Sequence, residues 1–369
     1  MKMNTIKQSC LRFTKMCVFV FCGYLALVFL NSGVVCAADT SGTSALYAVD
    51  AYASNDVWAV GYKYEGDLSF PLVEHWDGAQ WAIVPNPPDV IQSQMHGVAV
   101  VAPDDVWIVG ATWNVSDQAY VLHWDGATLQ SVPCQNPGFY GGFWSVAAVA
   151  ANDVWAVGDT TDSNNDYKTL VEHWDGNRWS VVPSPSGTYD FLQGVTAVSA
   201  NDVWAVGYGL TSSEILHWDG IHWSFSTSGT VGDYAGYNTV SAIAADDVWA
   251  LGFGDGGLLE HWDGTRWNRV PAPRAAYGLA TFASDDMWAV GGDAVGSSHR
   301  TLALHWDGIA WRKSKTPSPG HGILSNVFYA VAGVTSNDLW AVGIGQQALT
   351  AHWDGNAWRL VHNPGERVR

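Results

Sequence analysis

The sequence predicts an all-β fold built from seven copies of one four-stranded unit, on three observations. The motif "HWDG" begins at His75, His123, His173, His217, His261, His305 and His352. A second motif, "DVWAVG" or a close variant, begins at Asp56, Asp105, Asp153, Asp202, Asp247, Asp286 and Asp338. The two alternate strictly, with a period of about 39 to 52 residues, the spacing of stacked repeats rather than of separate domains. Each unit also holds four short apolar runs, and no stretch has helical periodicity. The runs are apolar on both faces, as expected if each sheet packs between two others. Together these features describe a seven-bladed β-propeller.

The third unit shows the elements in order. "WSVAAVAA" (144–151) is small and β-branched, and an Asn-Asp turn leads from it into "DVWAVG" (153–158). "TLVEHWDG" (169–176) follows and ends in Asp-Gly, a strong hairpin signal. "RWSVVP" (178–183) closes the unit at a proline, where a strand should stop. The blades fall at about 44–90, 91–137, 138–187, 188–230, 231–274, 275–318 and 319–363. The first run (about 45–53) is of the first type and the last (358–362) of the fourth, so the units run in phase. No strand need be exchanged to close the ring.

Each blade has an aromatic strand ending in glycine (Trp155 to Gly158), then a Trp-Asp pair (Trp174-Asp175), then Trp179. In that order it resembles a kelch repeat, as in the central propeller of galactose oxidase. The usual double glycine survives only at Gly291-Gly292, and Trp replaces the usual Tyr. The resemblance to WD repeats is superficial, because no Gly-His pair stands in register upstream. The resemblance covers about residues 44–363 and implies architecture rather than activity. The chain is also similar to Trp-rich secreted bacterial propeller proteins.

Residues 1–38 form a separate segment. Lys2, Lys7, Arg12 and Lys15 precede the apolar run 16–30, and small residues follow around Ala37 and Ala38. This is the order of a secretory leader, with a retained membrane anchor as the alternative. Secretion or display at the cell surface is therefore expected. Removal of the leader takes four of five cysteines and leaves Cys134, so no internal disulfide can form. It leaves 13 of the 17 basic residues against 35 acidic ones, a net charge of −22. A chain this acidic should not bind nucleic acid non-specifically. No second apolar run is long enough to span a membrane, and the mature chain is expected to be a monomer.

The repeated residues read as scaffold. Of the 22 Trp, seven follow "DV" or its equivalent, seven follow the repeated His, and six stand after the Asp-Gly turn. Leu129 takes that last position in the second unit, a substitution that suits packing rather than chemistry. Only Trp113 and Trp144 fall outside the scheme. The His ring cannot converge on one metal, because packed sheets stand about 10 Å apart while ligands sit ~2 Å from an ion. Structural hydrogen bonding is expected instead, with both repeated Asp residues accepting backbone N–H groups at turns. Polar residues covary at Glu172 with Arg178 and at Glu260 with Arg266. A three-residue Trp-Asp-Gly loop would set each pair face to face as an ion pair.

The site is expected where the units differ. Nine residues before each "DVW" Asp stand Tyr47, His96, Trp144, Gln193, Asn238, Tyr277 and Tyr329. They begin the presumed innermost strand, at one mouth of the central channel, and Phe139, Tyr140, Tyr189, Tyr234 and Trp113 lie in neighbouring loops. Aromatic faces stack on sugar rings, and amides and phenols bond their hydroxyls; alternatively the ring only plugs the channel. Asp162, Asn164 and Asp166 resemble part of a calcium loop but lack its Gly and terminal Glu. "NVS" at Asn114 is a glycosylation acceptor in a eukaryotic pathway. His96 and His321 lie on the same face without an assignable acid–base partner, and no nucleophile motif or nucleotide loop appears. No cofactor or metal is expected. The reading is a non-enzymatic binding propeller for a glycan or protein ligand. A glycan-active hydrolase or lyase is the remaining possibility.

Overall fold

A computed structural model describes residues 43–365 except 89, 114–116, 188, 210–212, 228–234, 255, 297 and 320–325. The leader-like segment, Asn114, Tyr234 and His321 lie outside the described residues. The described chain forms seven sheets of four antiparallel strands, each made from four consecutive strands. They stand in a ring, a seven-bladed β-propeller with no strand exchanged between the first and last blades. In blade three the strands run Gly141–Ala150, Asp153–Thr161, Tyr167–Trp174 and Trp179–Val181, from channel to rim.

The core lies between blades. Each of seven apolar clusters draws on two neighbouring sheets. Trp155 and Val171 of blade three, for example, pack on Leu192, Val203 and Trp223 of blade four. Trp155 meets Trp218 at 5.1 Å and the edge of Trp223 at 5.5 Å. In blade two, Leu129 occupies the seat of the missing Trp and packs in the cluster of Trp58. Closure repeats the pattern, because Trp340 of blade seven packs on Trp76 and Trp81 of blade one. A tail residue pins this seam: Gly365 N–H donates to Glu74 Oε1 (2.8 Å), and its carbonyl accepts from Ser44 Oγ (2.8 Å).

The seven His residues are scaffold. Each Nε2 lies 2.7–2.9 Å from Oδ1 of the "DVW" Asp of its own blade. Each imidazole also packs on the Trp of that motif, at 4.1–4.7 Å between ring centres. The "DVW" Asp thus differs from expectation. It serves side chains across the strand pair rather than backbone at a turn, with Asp153 also accepting from Trp155 Nε1 (3.0 Å). The "WDG" Asp does accept backbone bonds: Asp175 Oδ1 takes the N–H groups of Asn177 and Arg178, both at 2.9 Å.

The two predicted ion pairs are not formed. The turn holds four residues, Asp175 to Arg178, because Trp174 pairs directly with Trp179. Glu172 therefore faces Val181, and Glu260 faces Arg269. Glu172 is fully buried and accepts the Gln135 N–H of the preceding blade (3.1 Å), the same device as Glu74 at closure. Glu260 accepts from the Tyr237 hydroxyl (2.6 Å), and Arg266 lies instead 3.8 Å from Asp263.

A pH dependence follows. Burial pushes the Glu172 carboxyl up to about 7 against the opposing Gln135 N–H. The fold then keeps a proton that the unfolded chain releases, so this contribution is complete at acidic pH and lost as pH rises through about 7. Thermal unfolding of Glu172→Gln is expected to vary less between pH 5 and 8 than that of the parent. Arg178→Ala should shift neither curve. Equal slopes for Glu172→Gln and the parent would contradict this.

Candidate functional site

Each inner strand carries an irregularity at one position near its start. The pairing with the second strand skips Tyr47, His96, Trp144, Gln193, Asn238, Tyr277 and Tyr329 in turn. All seven predicted site residues are thus the extra residue of a β-bulge, which re-aims a side chain. The glycine ending "DVWAVG" explains why. Gly158 sits opposite Phe143, and a Cβ there would stand 1.8 Å from the Gly142 carbonyl oxygen. The equivalent glycines meet inner-strand carbonyls at 1.8–2.0 Å, so the repeated glycine makes room for the bulge in every blade.

The seven residues line one cavity of about 1980 Å³ along the channel. Five form a continuous arc. Tyr277 meets Tyr329 at 6.3 Å, Tyr329 meets Tyr47 at 5.6 Å, Tyr47 stacks on His96 at 5.1 Å, and His96 meets Trp144 at 4.4 Å. Gln193 and Asn238 complete the circle. His96 Nε2, Gln193 Nε2 and Asn238 Nδ2 are buried without a hydrogen-bond partner. Burial holds the His96 pKa down at about 3, so its ring is neutral. Of the four left-handed non-glycine residues among the described ones, Gln92, Tyr189 and Ala275 stand in the connections entering inner strands and line the same cavity.

Toward blades two to four the mouth has a different chemistry, which sequence reading missed. Asp159 is 3% exposed, and its Oδ1 accepts from Trp144 Nε1 at 2.5 Å. Burial raises its pKa to about 7, the Trp144 bond opposes this, and the charge of Asp117 adds to it. Tyr140, Tyr167 and Tyr189 line the cavity around these carboxyls, with Tyr167 6.0 Å from Tyr189 and 5.0 Å from Phe191. Trp113 and Asp117 line it from the loop of blade two. Phe139 is exposed in the neighbouring connection. Asp159 directly follows the repeated Gly158, a place filled by Tyr, Ala, Phe, Gly or Ile in the other units, and that break was legible.

Asp162, by contrast, folds its own loop. Its Oδ1 accepts the N–H groups of Asn164 (2.8 Å) and Asp166 (3.1 Å). Among the described residues no three His, Cys, Asp or Glu side chains group to hold a metal ion. A second irregularity in each inner strand aligns Tyr52, Val101, Val149, Val198, Ile243, Phe282 and Val334 at the opposite mouth.

Fold and cavity define the class: a seven-bladed β-propeller with an aromatic-lined channel mouth. Among solved structures the chain is similar to YCF48 bound to D1 peptide, at 14% identity and a TM-score of 0.55, over 86% of this chain and 95% of that one. It is also similar to a GH74 xyloglucanase from Xanthomonas campestris, at 11% identity and a TM-score of 0.60, over 88% of this chain and 55% of that one. A third is an acylaminoacyl peptidase from Pyrococcus horikoshii, at 11% identity and a TM-score of 0.53, over 87% of this chain and 52% of that one. These likenesses are of fold. No protein-family model and no curated protein sequence matches the chain.

Proposed function

We propose that the protein is a secreted or surface-displayed binding propeller that takes a carbohydrate at the aromatic channel mouth. One observation carries this reading. The arc from Tyr277 to Trp144 offers ring faces, and His96, Gln193 and Asn238, each with a buried nitrogen that has no partner, line the same cavity. Ring faces suit the apolar faces of sugars, and buried polar groups without partners suit hydroxyls. A plugged channel would leave those nitrogens uncompensated. The kelch-like blade supplies the rigid frame, and the leader-like first 38 residues support export.

The test is a glycan array followed by calorimetric titration. Trp144→Ala with Tyr329→Ala is expected to weaken binding at least ten-fold, about 1.4 kcal/mol or more. Binding that survives the double substitution would remove the proposed site. A hydrolase is the second reading, favoured by the Asp159 proton beside Asp117. Release of reducing ends from a bound glycan would replace the first reading with this one.

A further inference from the structure

We propose that the side of the mouth formed by blades two to four binds an ammonium group, which makes the ligand class an amino sugar. This deepens the carbohydrate reading and rests on it. The carboxyls of Asp117 and Asp159 both line the cavity. Among the described lining residues Arg274 is the one Lys or Arg, and no salt bridge joins it to either carboxyl. Asp159 is buried with an indole N–H on Oδ1 rather than a cation. Burying a carboxylate is costly unless it keeps a proton or meets a counter-charge, and a ligand cation would take the place of that proton.

The walls suit that counter-charge. Trp113, Tyr140, Tyr167 and Tyr189 share the lining, and ring faces attract ammonium groups. An independent observation points to a ligand in the same cavity. Asn238 is 8% exposed with an unpaired Nδ2, and the unpaired Nε2 of His96 belongs to the ring packed on Trp144. The carboxyls and aromatic walls suit a cation, and the polar side chains of His96 and Asn238 in the same lining suit hydroxyl or ether oxygens. An amino sugar carries both groups on one molecule. An acidic sugar would set its carboxylate against Asp117 and Asp159.

The experiment titrates the protein with a glucosamine trisaccharide, its N-acetylated counterpart and a uronic acid trisaccharide at pH 7.5 and physiological salt. The glucosamine trisaccharide is expected to bind at least ten-fold more tightly than the other two. Asp117→Asn should erase that preference, weakening the glucosamine trisaccharide at least ten-fold relative to its N-acetylated counterpart. Asp104→Asn, on the opposite face, removes one charge and should change nothing, which separates a site from general attraction to an acidic protein. Equal binding of the amine and its acetylated form, or an unaffected Asp117→Asn, overturns the ammonium site while the carbohydrate reading stands. Binding of none of the sugars overturns the carbohydrate reading. Asp117-dependent capture of a lysine-rich peptide in place of the sugars overturns the amino-sugar class.

Discussion

Gly158→Ala is expected to lose the cooperative fold, or to retain it with a penalty above about 4 kcal/mol. The new Cβ would lie 1.8 Å from the Gly142 carbonyl oxygen and 2.9 Å from the Phe143 Cα. Both atoms are backbone, so no rotamer change relieves the contact. The inner strand would have to leave its partner, taking the bulge at Trp144 with it. A penalty of that size is a large share of the stability of an ordinary domain. Gly66→Ala is the matched comparison. Gly66 has φ +64° and nothing within 4 Å of an added Cβ, so only left-handed strain applies, about 1–2 kcal/mol. Urea unfolding of both variants measures the difference. If Gly158→Ala unfolds like the parent, the glycine does not hold the bulge.

Trp179→Ala carries the second large effect, about 3–5 kcal/mol. Trp179 is 2% exposed and meets the edge of Trp107 at 5.4 Å, across the seam between blades two and three. Its Nε1 has no hydrogen-bond partner, so the loss is one of packing. The protein supplies its own control. Leu129 holds the same position in blade two at 6% exposure, against Trp58. Trp179→Leu should therefore recover roughly half of the alanine penalty, because a branched side chain refills part of the seat. Identical midpoints for Trp179→Leu and Trp179→Ala in urea would show that the seat demands an indole.

The repeat made the architecture legible before any coordinates. Seven aligned copies reveal which positions vary, and the variable position nine residues before each "DVW" Asp proved to be one structural position in all seven blades. The bulge that turns it inward could not be read, because strand pairing is a relation between two segments and spacing within one does not fix it. The same limit explains the ion pairs. Glu172 and Arg178 covary, but a four-residue turn places Trp174 opposite Trp179 and sends Glu172 into the seam with blade two. The Asp159 cluster escaped for a third reason. Asp117 and Asp159 lie in neighbouring blades, one beside a loop and the other on a strand, and only the packing of those blades brings them to one cavity.

The bulges have a consequence for engineering. A bulged residue has no direct partner on the adjacent strand, so its side chain takes no part in setting register. The seven mouth positions can therefore be randomised together while Gly158 and its counterparts, the Asp–His pairs and the Trp seams remain untouched. A library built this way would vary the lining of the channel mouth on strands, whose backbone is held more firmly than that of loops. Exchanges are constrained where a mouth residue holds a neighbour: Trp144 holds Asp159 and Tyr47 is hydrogen-bonded to Tyr62, so those blades must be varied as pairs.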